Sequence, residues 1–193
     1  MTYILFHKPF AVLSQFSGGG TNQTLRDFGP FPAGVYPAGR LDADSEGLLL
    51  LTDDREILHR WTDPQFGHSK TYLVQVEGSM TDEAVDRIRA GILIGNRKTR
   101  PAEARIVPVA PSFPARPKPI RFRRNIPTCW IEITLREGMN RQIRRMTASV
   151  GHPTLRLIRT RIGFLTIDGL ASGEFRPLTP REVRDLHLRP GKR

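Results

Sequence analysis

Five carboxylates crowd the thirteen residues from Asp42 to Asp54: Asp42, Asp44, Glu46, Asp53 and Asp54. The rest of the chain is strongly basic, with 30 Lys and Arg against 19 Asp and Glu over 193 residues, a net charge of +11. An acidic spot on a polyanion-binding surface opposes binding, so it calls for a reason. Three readings compete. The run Asp42-x-Asp44-x-Glu46-Gly47, ending at Asp53, superficially follows a calcium loop. Against calcium, Glu46 is long for the fifth ligand position, Asp53 replaces the bidentate Glu, and four leucines fill the middle. The second reading is a catalytic carboxylate. Arg40 and Asp42 flank Leu41, and in an extended segment both face away from a leucine that points into the core. A carboxylate beside guanidinium groups stays ionised and serves as nucleophile or base. The third reading is an ordinary surface Arg–Asp pair.

A second chemical feature lies at residues 136–161, which carry Arg136, Arg141, Arg144, Arg145, Arg156, Arg159 and Arg161 against one acid, Glu137. The pattern predicts a helix over 139–149, with Ile143, Met146 and Val150 inward and Gly151 and Pro153 as stop signals. On that helix Arg141 sits three residues from Arg144 and four from Arg145, so the three share a face. Their repulsion is relieved by counterions, by phosphate, or by a carboxylate such as Asp42.

The elements that must position these groups read as α+β. Strands are predicted at 2–6, ended by Pro9, at 70–76, and at 130–135, where Ile131, Ile133 and Leu135 alternate with Trp130, Glu132 and Thr134. Leu48 to Leu51 is a buried run whose periodicity cannot choose between strand and helix. Asp54–Trp61 predicts a short helix with Ile57, Leu58 and Trp61 on one face. Thr81 is an N-cap ahead of Val85 and Ile88. Thr179, Pro180 and Glu182 form a capping box for the last helix. Residues 111–127 hold five prolines and five cations (Arg116, Lys118, Arg121, Arg123, Arg124) with no acid, and read as an extended basic loop, either a solvated linker or an RNA contact.

The composition narrows the class. At 38% apolar and 25% charged residues, the chain is too apolar for a disordered protein and too polar for a membrane protein. No apolar run approaches the roughly 20 residues of a membrane span. Its start does not read as a signal peptide. The lone Cys129 leaves no intrachain disulfide and no Cys-based zinc site, which fits the cytoplasm. The five histidines lack metal-ligand spacing. The charge points to nucleic acid.

The residues also carry a resemblance. The block Gly39-Arg40-Leu41-Asp42-Ala43-Asp44-Ser45-Glu46-Gly47-Leu48-Leu49-Leu50-Leu51-Thr52-Asp53-Asp54 resembles the signature of the small-subunit/large-subunit family of bacterial ribosomal RNA pseudouridine synthases. His7-Lys8-Pro9, Lys70-Thr71-Tyr72, the run from Glu137 to Met146, and the run from Leu157 to Gly163 are similar to further family blocks in type and order. The likeness extends from about residue 3 to about 187. Family members commonly carry a small RNA-binding domain before the His-Lys-Pro block. Here that block starts at residue 7, so the expectation is a form without that domain, with the basic loop at 111–127 compensating.

The resemblance implies a single catalytic domain over 1–188, with a flexible tail at 189–193. Its mixed, largely antiparallel sheet carries flanking helices, in two lobes split by a basic catalytic cleft. It implies uridine-to-pseudouridine isomerisation in ribosomal RNA, most simply of the large subunit, without cofactor or metal, by a cytoplasmic monomer. The alternative is a non-catalytic RNA-binding or assembly factor on the same fold. Under the resemblance Asp42 is the essential carboxylate, attacking the sugar or abstracting its proton. Tyr72 stacks on the base, and Arg144 pairs with Asp42. Arg40, Lys8, Lys70, Arg141, Arg145 and Arg159 are the RNA contacts it implies, with Lys8, Lys70 and Arg141 open to a structural role. Base extrusion fits, because C1′ is poorly accessible in a duplex.

Overall fold

The computed structural model describes residues 1–188; the tail expected at 189–193 lies outside the described residues. In chain order the strands and helices are β1 (Tyr3–Lys8), β2 (Tyr36–Pro37), β3 (Glu46–Thr52), α1 (Arg55–Thr62), β4 (Lys70–Glu77), α2 (Asp82–Ala90), β5 (Leu93–Ile94), β6 (Arg97–Lys98), β7 (Glu103–Val107), β8 (Thr128–Leu135), α3 (Gln142–Ser149), β9 (Thr154–Ile162), β10 (Leu165–Thr166), β11 (Phe175–Pro177) and α4 (Pro180–Leu188). The class is mixed α+β, with mainly antiparallel pairing. The chain divides into two units, one of Met1–His68 with Arg159 onward, the other Ser69–Ile158.

In the first unit β1 runs antiparallel between β3 and β11, with His7 opposite Leu48 and Phe6 opposite Phe175. β2 adds to β3, and β10 folds back on the end of β9. Leu48, Leu49, Leu50 and Leu51 are all fully buried. A strand covered on both faces has no alternation, which is why its period carried no signal in the sequence. Asp54 caps α1, its carboxylate accepting from Glu56 N at 3.0 Å and Ile57 N at 3.2 Å. The capping box of α4 forms as expected: Glu182 N donates to Thr179 Oγ1 at 3.2 Å, and Thr179 N donates back to Glu182 at 2.7 Å.

The second unit is built on β4–β8–β7, all antiparallel, with Tyr72 opposite Ile133 and Ala104 opposite Ile133 on the other edge. Val74, Val76, Ile131 and Ile133 pack with Val85 and Ile88 of α2 and with Ile143 and Met146 of α3. Thr81 caps α2 through Ala84 N. Residues 108–127, between β7 and β8, form neither helix nor strand.

Candidate active site

The turn that carries Asp42 is held by backbone groups and buried side chains of the first unit. Ala38 N donates to Leu50 O at 2.7 Å, tying the entry of the turn to β3. Gly39 follows with φ +90°, a conformation that side chains avoid, and lets the chain leave the sheet. Leu41 is buried, Arg40 is exposed and Asp42 is half-buried, the alternation expected from the sequence. The buried Ser14 hydroxyl donates to Leu41 O at 2.8 Å and accepts from Leu41 N at 3.0 Å. One side chain thus satisfies both backbone groups of the residue before Asp42. Ser45 N closes the turn onto Asp42 O at 3.0 Å, and Ala11 N donates to Ala43 O at 2.7 Å.

Lys8 locks the other side. Its Nζ is wholly buried, donates to Val12 O at 2.7 Å and Pro9 O at 2.9 Å, and lies 3.5 Å from Ala43 O. Burial pushes its ammonium down to about 7, against the opposing pull of Glu46, Asp44 and Asp42. Arg159 is also buried, and its Nε donates to Leu48 O at 2.8 Å. Gly47, at φ +112°, has the backbone of Arg159 where a Cβ would stand, so no other residue fits there without displacement. Of the residues expected at the RNA, Lys8 and Arg159 are thus enclosed, Lys8 in the structural role left open for it. Neither offers surface to a phosphate, and both brace the strand and turns around Asp42.

The neighbouring acids divide among other tasks. Asp53 accepts from Thr2 N at 2.7 Å, Asp54 caps α1, and Glu46 is buried at the start of β3. Among the described residues no group of three or more His, Cys, Asp and Glu could hold a metal ion.

The second unit carries the other expected residues. Lys70 and Tyr72 lie on β4, and Tyr72 is half-buried against the unit's core. Thr71 and Thr134 join the two strands between them by a 2.9 Å hydroxyl contact. The helix of the arginine block starts at Gln142, three residues later than the sequence predicts. Arg141 takes φ +51° and stands at the N-cap, its carbonyl accepting from Arg145 N at 3.0 Å. The shared helical face of Arg141, Arg144 and Arg145 is thus corrected: Arg144 and Arg145 are helical and Arg141 is exposed on the turn before them.

That turn is organised by Glu137, the one acid of the block, and by Gln142, which the sequence did not single out. Glu137 is buried; its Oε1 accepts from Arg100 N at 2.8 Å and Gln142 Nε2 at 2.7 Å, and Arg97 reaches its Oε2 at 3.3 Å. Gln142 Oε1 in turn accepts from Met139 N at 2.9 Å. The hint in the sequence was a single acid inside a cationic block.

Comparison with known proteins gives the class. Residues 2–149 match the RNA pseudouridylate synthase family. A ribosomal large subunit pseudouridine synthase E of Xanthomonas campestris pv. campestris is 49% identical over 183 residues, 94% of this chain and 97% of that protein. One of Vibrio parahaemolyticus is 44% identical over 175 residues, 91% of this chain and 73% of that protein. A crystal structure of a pseudouridylate synthase superposes with a TM-score of 0.79 at 29% identity, covering 96% of this chain and 73% of that one. Together these define an RNA-modifying isomerase. The chain belongs to the RNA pseudouridylate synthase family. Its reaction breaks the N1–C1′ bond of a uridine and joins C5 to C1′, with no atom gained or lost.

Proposed function

We propose that the protein isomerises a uridine of large-subunit ribosomal RNA, with Asp42 as the essential carboxylate. Two similar proteins bear the name of a large-subunit enzyme, and the likeness spans nearly the whole of one of them. The observation that carries the residue assignment is the bracing of the Asp42 turn by Ser14 and Lys8. A reacting group must be held to well under an ångström, and buried, satisfied polar groups do that. Asp42 meets the sugar carbon of an extruded uridine, Tyr72 meets its base, and Arg144 supplies the cation of the reaction centre. Arg40, Lys70, Arg141 and Arg145 hold the backbone of the RNA. The protein acts as a monomer in the cytoplasm, with residues 1–188 as its catalytic domain.

Tritium release from C5-labelled uridine in protein-free large- and small-subunit ribosomal RNA transcripts tests the substrate. The expected result is release of about one equivalent from the large-subunit transcript and none from the small. Release from the small-subunit transcript alone overturns the assignment of target. Replacement of Tyr72 by Phe and of Arg144 by Lys, followed under single turnover, tests the two supporting roles. Unchanged rates in both remove them from the chemistry.

A further inference from the structure

The loop at 108–127 is pinned to the second unit at definite points. Arg121 and Arg123, two residues apart, both reach Glu77 at the end of β4, at 2.5 and 2.9 Å. These bonds hold the Glu77 carboxyl below the usual range. Gly78 N donates to Pro127 O at 2.8 Å, and Arg156 donates to Pro114 O at 3.0 Å. Ile126 N closes a turn onto Arg123 O at 3.2 Å. The residue between the two anchored arginines is Phe122, and it is 83% exposed. Side chains alternate along extended backbone, so the same pairing that draws Arg121 and Arg123 onto Glu77 turns Phe122 outward. Beside it a concavity of about 450 Å³ is lined by Glu77, Ile120, Phe122, Arg124, Ile126 and Leu155.

One exposed ring alone is ordinary on a protein surface; this one stands between two anchored arginines, beside a concavity. Five cations without an acid across 111–127 select a polyanion, and Glu77 offsets only one of them. A ring flanked by guanidinium groups is suited to an unpaired base, which stacks on the ring while neighbouring phosphates meet the arginines. A duplex hides its base faces and has no use for the ring.

We propose that residues 120–127 are a platform for an unpaired stretch of the substrate RNA, with Phe122 stacking on one base and Arg121, Arg123 and Arg124 meeting the flanking phosphates. The proposal deepens the RNA-isomerase reading and rests on it. The five prolines restrict the loop before RNA arrives, so less order is lost on binding.

The test compares Phe122→Ala and Phe122→Tyr in the full chain. Binding is read by fluorescence anisotropy with a 12-nucleotide unpaired RNA and a blunt duplex of the same length. Phe122→Ala is expected to weaken the unpaired RNA roughly fivefold or more, the loss of one base–ring stack. Phe122→Tyr should stay near wild type, and the duplex should respond to neither. Arg124→Gln should lower the slope of log Kd against log salt by about one. At saturating RNA the turnover of Phe122→Ala should match wild type, with KM raised. Equal affinity of Phe122→Ala and wild type for unpaired RNA overturns the proposal, as does an equal loss for duplex. So does unchanged RNA binding with lost association to a ribosomal protein, which marks the surface as a protein contact. If the platform binds as described but wild type makes no pseudouridine, the enzymatic reading fails and the platform stands.

Discussion

Two charged regions of this molecule are built in opposite ways. The Asp42 turn hangs on buried groups, each meeting backbone: the Ser14 hydroxyl on Leu41, the Lys8 ammonium on Pro9 and Val12, and Arg159 on Leu48. The loop at 108–127 is pinned from the solvent side, by Arg121 and Arg123, each about half exposed, on a Glu77 side chain that is only 13% exposed. The difference matches the roles proposed for each. Chemistry at a sugar carbon needs one carboxylate in one place, and buried hydrogen bonds fix position. Holding a polyanion needs many weak, salt-sensitive contacts that tolerate movement. A family of enzymes with one reaction and many RNA targets can therefore keep the first kind of region fixed while the second varies.

The comparison predicts a ladder of effects on the fold. At its top stands Lys8→Met. It orphans the buried carbonyl of Val12, at roughly 1–3 kcal/mol, strips a partner from the part-buried carbonyl of Pro9, and loosens the Asp42 turn, so the unfolding midpoint and kcat fall together. Its pH dependence has a definite sign. Folded Lys8 titrates near 7 and a free lysine at 10.5, so between these values the unfolded chain holds a proton that the folded chain has lost. Stability from this group is therefore lowest below pH 7 and rises as the pH climbs towards 10.5. Denaturant unfolding from pH 7 to 10 should show this rise in wild type and its absence in Lys8→Met; parallel curves refute the assignment.

Ser14→Ala comes next. It strips one partner from each backbone group of Leu41 and should cost about 1–3 kcal/mol. Turnover should drop while KM holds, because the turn that presents Asp42 loses its clamp and the RNA contacts do not change. A raised KM with normal turnover would place Ser14 in RNA binding instead. Glu77→Gln is expected at the foot of the ladder. It releases two solvent-exposed arginines, so the melting temperature and saturated turnover should stay at wild type, and only the preference for unpaired RNA over duplex should shrink. A large loss of stability would show that the loop is part of the core and erase the contrast.

Much of this was legible in the sequence because it is local. Asp54, Thr81 and Thr179 announce their helices by side-chain oxygens placed ahead of apolar runs, and each caps its helix in the structure. The alternation of 130–135 gave β8. The sixteen-residue block around Asp42 gave the family. What stayed hidden depends on distant partners. Ser14 lies 27 residues from Leu41 with no local mark of its clamp. Lys8 and Arg159 look like surface cations until folding buries them, Lys8 against Pro9, Val12 and Ala43 and Arg159 against Leu48. Arg141 fits a helical pattern on paper, but it takes a positive φ and the helix starts after it, beside a turn where Glu137 gathers Arg100, Gln142 and Arg97 of the second unit. Glu77 falls just past the strand predicted at 70–76, and only the folded loop shows it pairing with Arg121 and Arg123.

The most direct test is Asp42→Asn, with RNA binding and pseudouridine formation measured on the same preparation. The substitution keeps the size of the side chain and removes its charge. The variant should bind large-subunit ribosomal RNA within about tenfold of wild type and make no detectable product, since a loss confined to turnover marks a group used in the transition state. Product formed at a rate near wild type would contradict the account at its centre, because the braced turn would then be holding a residue that the reaction does not use.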